Sequence, residues 1–281
     1  MIRGLFTAAS GMLAGERRQD VLANNLANAN TIGYKKDDSL MRSFPEMLLY
    51  AVNDHTGSGP QGIRPGMPDV GAVGTGAFLE EILPRFTQGT LKPTNNKYGY
   101  AIIDVDRPLN PQAPDARRKT FFAVTDGSGS SFVTRDGEFH VNQQGFLMNA
   151  AGLFVQAVDD QGLPAANSRI KLNDTGTSLE AGTVEENGEF TVNEAYRFDA
   201  VDVLDTDRLQ NAGNGGFRYD PANLGARTGE VRQGFLEGSN VDLTETMTDM
   251  IAVMRSYEAN QRVIRTLDGT LDKAVNSLGR I

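Results

Sequence analysis

The chain has no cysteine and no tryptophan, and its only histidines are His55 and His140. Without thiols it forms neither disulfides nor thiolate metal sites. Two isolated imidazoles in unrelated surroundings match no His/Cys/carboxylate spacing of a metal centre. No run reaches the roughly 18 apolar residues of a membrane-spanning helix, so no membrane insertion is expected. Basic residues are scarce, 27 Lys and Arg against 36 Asp and Glu for a net charge of −9. A chain with no strongly basic arm or patch is a poor candidate for nucleic-acid binding. Phosphate-loop, nucleophile-elbow and zinc-protease patterns are all missing. Gly57-x-Gly59-x-x-Gly62 spells the dinucleotide fingerprint, but Pro60 and Pro65 break the helix that the fingerprint must open. Asp104 with Asp106, and Asp202 with Asp205 and Asp207, lack the glycine and distal glutamate of a calcium loop and read as solvated strand ends. Asn173-Asp174-Thr175 is a glycosylation sequon of a kind common by chance. The expectation is a protein with no catalytic residue, no cofactor and no metal, not an enzyme.

What is present is ordinary globular material: 281 residues, 39% apolar and 22% charged, enough for about two domains. The charge is uneven. Residues 1–36 carry net +3, residues 241–281 carry −1, and the middle carries −11. Ends and centre therefore do different work. The opening "MIRGLFTAASGMLAG" has one Arg and then small or apolar residues, but its helical pattern runs on through "ERRQDVLANNLANAN". No cleaved signal is expected there.

Both ends read as helix. Met250, Tyr257, Ile264, Leu271 and Leu278 recur every seven residues, with Leu243, Met247, Met254, Leu267 and Ala274 or Val275 beside them. A stripe sustained over about four heptads reads as a coiled-coil seam. Asp242 and Glu245 resemble a capping pair, and a helix from Leu243 to Leu278 would be roughly 54 Å long. At the N-terminus Ile2, Leu5, Ala9, Met12, Leu13, Val21, Leu22 and Leu26 suit one broad face. Gly4, Gly11 and Gly15 weaken this helix by about 1 kcal/mol each relative to alanine, so it depends on packing. Ala8, Gly11 and Gly15 would let a second helix approach closely, and Gly33 reads as the stop signal.

Between the helices the pattern changes. From Ser39 to Gly76 the chain is rich in Gly and Pro and reads as an extended arm. From Phe78 to about Leu224 it reads as β structure, with short strands separated at Asp126-Gly127, Asp136-Gly137, Gln144-Gly145 and Ala151-Gly152. The fold class is thus α+β: terminal helices paired as a coiled-coil-like unit around an inserted, mostly antiparallel β domain with an extended arm. The expected division is 1–32 with 242–281 as the helical domain, 33–77 with 225–241 as arm and connector, and 78–224 as the β-rich domain.

One segment resists this bland reading. "LANNLANANTIGYKK" places Asn24, Asn25, Asn28 and Asn30 in seven positions of a helix. Asparagine competes for nearby backbone groups and is a mediocre helix former, so four together imply amide partners outside their own helix.

Three separated stretches resemble one family. "GLFTAASGMLAGERRQDVLANNLANANTIGYKK", "FVTRDGEFHVNQQGFLMNAAGLFVQ" and "QGFLEGSNVDLTETMTDMIAVMRSYEANQRVIRTLD" are similar, in that order, to signatures of the flagellar rod and hook proteins. Within the family the length and motifs look most like the distal-rod group. The passage "KYGYAIIDVDRPLNPQAPDARRKTFF" is longer and more polar than that pattern. The resemblance implies a non-enzymatic subunit of the flagellar basal-body rod, assembling helically into the axial drive shaft. Its terminal helices would form an inner tube, with arm and β domain outside. It implies as partners copies of itself, other flagellar rod and hook proteins, and the flagellar type III export apparatus, with export lacking a cleaved signal. Assembly and helix packing are expected at Leu5, Met12, Leu13, Leu22, Asn24, Asn25, Leu26, Asn28, Thr31, Gly33 and Tyr34. On the C-terminal side they are expected at Met247, Met250, Met254, Tyr257, Asn260, Ile264, Leu271 and Leu278. The asparagines would then hydrogen-bond between subunits. The alternative is a secreted ligand-binding β domain or adhesin with a helical oligomerisation stalk.

Overall fold

A computed structural model describes residues 2–45, 47–50, 69–74, 76–104, 118–165, 167–173, 178–184, 190–213, 215–227 and 229–278. His55, the 57–62 glycine pattern and Asp106 lie outside the described residues. The chain divides into two compact units. One comprises residues 1–26, 37–83 and 243–281, the other residues 27–36 and 84–242.

The first unit holds both long helices, α1 (Ile2–Ala27) and α2 (Leu243–Leu278), and they pack on each other. They run antiparallel. Gly4 of α1 lies beside Leu267, Gly11 beside Asn260 and Gly15 beside Val253, and Arg18 reaches Asp249 at 3.7 Å. Three of these α1 contacts are glycines, which let the backbones approach closely at the cost in helix propensity that glycine carries. Asp242 precedes α2 and Glu245 sits in its first turn, where the helix dipole favours negative charge.

Two short β ribbons complete this unit. Asp37–Ser43 pairs with Ala77–Pro84, and Met47–Tyr50 pairs antiparallel with Asp69–Val73. The stretch read as an extended arm from Ser39 to Gly76 thus holds paired strands at both of its ends. Leu40, Met41 and Phe44 carry enough apolar character for a strand, and a strand is satisfied once a partner accepts its backbone bonds. Phe44 N–H donates to Gly76 O at 3.0 Å, and the Phe44 and Phe78 rings meet at 4.9 Å.

The second unit is built around Lys119–Thr125, the central strand of a nine-stranded sheet. Its residues alternate between two cores, as strand period requires. Phe121 and Ala123 face Phe86, Val133, Val201 and Phe217. Phe122 faces Tyr100, Ile102, Phe139, Leu147 and Val155. All four residues from Phe121 to Val124 are fully buried, so a Phe→Ala change in this strand costs about 3–5 kcal/mol. A three-stranded sheet (168–172, 179–184, 190–192) and two ribbons, Glu230–Gln233 with Tyr100–Ile103 and Phe235–Glu237 with Leu91–Pro93, finish the unit.

The hairpin turns use a unit that the Asp-Gly reading only partly caught. The side chains of Asp126, Asn142, Asn149 and Asp159 each accept from the backbone N–H groups two and four residues on. The glycine three residues on (129, 145, 152, 162) has positive φ. The signal is Asx-x-x-Gly: the side chain mimics a turn and the glycine supplies the left-handed residue. Gly137, by contrast, serves close approach, since a Cβ there would strike the Tyr100 carbonyl.

Candidate assembly surface and the clamp at the helix roots

In the first unit Ala8, Ala14, Val21 and Leu22 of α1 are buried, while Phe6 and Leu13 are exposed. Leu5, Met12 and Leu26 are half-buried. On α2 the inward line is Thr246, Met250, Val253, Tyr257, Asn260, Ile264, Leu267 and Leu271, all buried or half-buried. Met247 and Met254 stand one position off that line and are exposed together with Leu243 and Ile251. The heptad reading found the α2 line at Met250, Tyr257, Ile264 and Leu271 and missed Thr246 and Val253. Threonine at a seam position carries no apolar signal. Leu278 ends α2, and its side chain lies outside the described residues.

Asn25, wholly buried, has its partner inside the chain. Its Nδ2 donates to Asp37 O at 2.8 Å and its Oδ1 accepts from Asp37 N–H at 2.9 Å. The carboxamide thus copies the two bonds of a strand neighbour and fastens the end of α1 to the start of the first strand. For this asparagine the expectation of an inter-subunit amide is replaced by an intrachain clasp. Asn24 is exposed on α1. Asn28 Oδ1 accepts from Thr31 Oγ1 at 3.2 Å and its carbonyl accepts from Thr31 N–H at 3.1 Å, while Tyr34 N–H donates to Thr31 O at 3.4 Å. These bonds shape the turn that follows α1.

In the second unit the residues leading out of α1 and into α2 are bound to each other. Gly33 N–H donates to Glu237 O at 2.8 Å. Lys36 N–H donates to Asn240 Oδ1 at 2.7 Å, and Asn240 Nδ2 donates to Arg85 O at 2.7 Å. Gly33 has φ +69°, and a Cβ on it would collide with the backbone of Arg135 and Asp136. It is thus a close-approach residue as well as a helix stop.

Beneath these bonds lies a buried ionic cluster. Lys35 Nζ donates to Glu237 Oε1 at 2.6 Å and to Thr87 O at 2.9 Å. Arg135 donates to Glu237 Oε2 at 3.2 Å and to Asp104 Oδ1 at 2.7 Å, and Lys119 Nζ reaches Asp104 Oδ2 at 3.0 Å. Gly89 N–H adds a bond to Glu237 Oε1 at 2.9 Å. The side chains of Lys35, Arg135 and Glu237 are 0%, 0% and 1% exposed. Charges so deeply buried are tolerated only when paired and hydrogen-bonded. Burial pushes the Lys35 ammonium below its ordinary value, with Glu237 opposing that shift. Burial would raise the Asp104 carboxyl, but Arg135 and Lys119 together hold it below the usual carboxylate range. Asp136, beside the cluster, is raised to about 6 by burial.

Two readings of these aspartates are corrected. Asp104 is an ion-pair partner, not a solvated strand end. Asp202 is fully buried and accepts from Thr120 Oγ1 at 2.6 Å. None of Lys35, Asp104, Arg135 and Glu237 was singled out by periodicity, because each interrupts an apolar pattern only once. The signal available was that three of them sit inside the signature stretches "GYKK", "TRDG" and "FLEGSN".

Comparison with known proteins matches the geometry. Residues 5–35 match the flagella basal body rod protein family, residues 119–194 the D1 domain of the flagellar hook protein FlgE/F/G, and residues 232–278 the C-terminal region of the flagellar basal body rod FlgEFG proteins. The chain is 34% identical to the flagellar hook-basal body complex protein FlhO of Bacillus subtilis, over 100% of both chains. It is 29% identical to the flagellar basal-body rod protein FlgG of Agrobacterium fabrum, over 95% of this chain and 96% of that one. Against the FlgG protein of Bacillus subtilis the identity is 26%, over 98% and 99%. The three signature stretches coincide with the helix pair, the central sheet and the clamp, and the full-length likeness follows: this chain belongs to the flagellar basal-body rod FlgE/F/G family, as a non-enzymatic structural subunit of the rod and hook.

Proposed function

We propose that this chain is an axial subunit of the distal-rod type that self-assembles helically through its terminal helices to form part of the flagellar drive shaft. The observation that carries this reading is the helix pair of the first unit. It buries its small residues internally and leaves Phe6, Leu13, Met247, Ile251 and Met254 exposed. A monomer gains nothing from that arrangement, whereas neighbours in a tube bury it. In this reading residues 1–32 with 242–281 build the inner tube. Residues 33–77 with 225–241 form arm and connector, and 78–224 form the outer β layer. The partners are copies of this chain and adjoining rod and hook proteins. The chain leaves the cell unfolded through the flagellar type III apparatus, without a cleaved signal. An N-terminal helix weakened by three glycines and completed only by α2 suits passage in the unfolded state.

The test is deletion of the coding sequence in the source bacterium, followed by electron microscopy of isolated basal bodies. The expected result is loss of swimming, with rods ending short of the hook and restored by the intact gene. Swimming deletants with complete hook-basal bodies would refute the proposal.

A further inference from the structure

We infer that the clamp of the second unit closes in a fixed order: residues 235–240 seat by themselves, and residues 33–36 seat only once Glu237 is in place. The two segments differ in where their partners come from. Phe235–Glu237 pairs antiparallel with Leu91–Pro93, with Phe235 opposite Pro93 and Glu237 opposite Leu91. Gly238 N–H donates to Thr90 O at 2.9 Å. The Glu237 carboxylate accepts from Gly89 N–H at 2.9 Å and from Arg135 Nη1 at 3.2 Å, and Arg135 is itself held by Asp104 at 2.7 Å. All of these groups lie between residues 84 and 242. Glu237 therefore meets a cation and a backbone donor that do not depend on the N-terminal segment, and its carboxylate is paired before Lys35 approaches.

Residues 33–36 depend on what the C-terminal segment brings. Gly33 N–H and Lys36 N–H donate to Glu237 O and Asn240 Oδ1. The bond from Arg85 N–H to Lys36 O, 2.7 Å, is independent of that segment, yet it does nothing for a buried charge. Lys35 carries that charge, with its side chain 0% exposed. Without Glu237 its ammonium keeps the Thr87 carbonyl at 2.9 Å and faces the Arg135 guanidinium, while Asp104 is already shared between Arg135 and Lys119. A buried cation beside a second cation and without its carboxylate is strongly disfavoured. Burial depresses the Lys35 ammonium, and Glu237 is the strongest of the groups opposing that shift. Lys35 and Glu237 are 202 residues apart, so the charge that admits the N-terminal segment comes from the far end of the chain. A chain made or threaded from its N-terminus thus keeps residues 33–36 open until the C-terminal segment has arrived. The order belongs to the second unit alone and holds whatever the chain assembles with.

Hydrogen exchange of the full chain at neutral pH, read by mass spectrometry, follows both segments. The amides of Gly33 and Lys36 report one and the amide of Gly238 the other. Glu237→Gln leaves the backbone acceptor at 237 and the Asn240 side chain in place, so an opening of 33–36 stems from the Lys35 charge. The expected result is exchange of the 33–36 amides at least about 100-fold faster, the scale of an unpaired buried charge, with Gly238 affected at least about tenfold less. Lys35→Met removes the charge at similar length, so the double variant Lys35→Met with Glu237→Gln should bring 33–36 back to within about tenfold of wild type. Gly33→Ala leaves every charge of the clamp intact but sets a Cβ against the backbone of Arg135 and Asp136. It should release 33–36 and again spare Gly238, which decides the order even where Glu237→Gln lowers the whole unit. Amides of 33–36 that stay protected in Glu237→Gln, a double variant that remains open, or equal acceleration of 33–36 and Gly238 in Gly33→Ala would each overturn the order.

Discussion

Replacing Glu237 by Gln keeps the shape of the side chain and removes one charge from the middle of the clamp. Lys35, Arg135 and Lys119 then share Asp104 as their only carboxylate in the cluster. The Gln Oε1 still accepts from Lys35 and from Gly89 N–H, but its amide N–H faces the Arg135 guanidinium, donor against donor. Breaking a buried pair in this way costs about 3–5 kcal/mol, because the uncompensated partner stays out of water. The second unit spans about 170 residues, and in a domain of that size each kcal/mol moves Tm by about 2–4 °C. The expected loss is thus roughly 10 °C. Thermal unfolding of the full chain by near-ultraviolet circular dichroism reads it, since five of the seven tyrosines (34, 98, 100, 196 and 219) lie in this unit. The exposed pair Arg232–Glu230 is the control, and Glu230→Gln should cost no more than about 1 kcal/mol. The deficit of Glu237→Gln should also shrink as pH rises from neutral towards the ordinary lysine range. Glu237 is the main group opposing the depression of Lys35, so its loss lowers the folded pKa further. The unfolded chain then holds the proton that the folded chain lacks, and stability rises with pH. A shift under about 3 °C for Glu237→Gln, or a deficit that grows with pH, would show that the cluster is not an electrostatic lock.

Three further outcomes follow from single sites. Asp136 titrates at about 6 when folded, against 3.8 as its ordinary value, so the folded state binds the extra proton and this group's contribution falls as pH rises from about 4 to about 6. Urea midpoints of Asp136→Asn should lack that fall and exceed wild type at pH 7; a parallel pH profile would refute the assignment. Gly269 lies inside α2 with open space where a Cβ would go, so Gly269→Ala should stabilise the helix pair by about 0.5–1 kcal/mol, measured by the helical signal at 222 nm. Asn25→Leu leaves the Asp37 N–H and C=O unpaired beside a buried side chain, and should cost about 1–3 kcal/mol of the same unit in dilute, unassembled protein. Equal melting of mutant and wild type would mean the clasp contributes nothing within the chain.

The large features were legible because they repeat. A heptad sustained along α2 marks its bounds, Leu243 to Leu278, and Asx and Gly every few residues mark a ladder of short strands. What was not legible is made of solitary residues. Gly4, Gly11 and Gly15 look like defects in a helix until Leu267, Asn260 and Val253 are seen opposite them. A large apolar side chain such as Leu13 was a natural choice for the buried face, yet it is exposed. The close approach of two backbones reverses that choice, since the face that can come nearest is the one with the least side chain. The ribbon strand Asp37–Ser43 escaped notice because its partner lies some 40 residues away across the Gly/Pro-rich stretch, and pairing over such a distance leaves no local mark.

The asparagines show why one motif needs several explanations. All four share a helical segment, and a reading by residue type gives them a single role. In the structure, position decides. Asn25 faces inward at the end of α1, where the first strand begins, and a carboxamide is the one side chain that can donate to and accept from a single backbone residue in strand-like fashion. Asn28 lies past the last helical residue, where its oxygen orders a turn. Asn24 is exposed on α1, and helical spacing puts it on the face that also carries Phe6 and Leu13. An apolar side chain at Asn25 thus disturbs folding before assembly. Earlier melting is expected for Asn25→Leu, and a loss of swimming with unchanged melting would instead move that amide to the subunit interface.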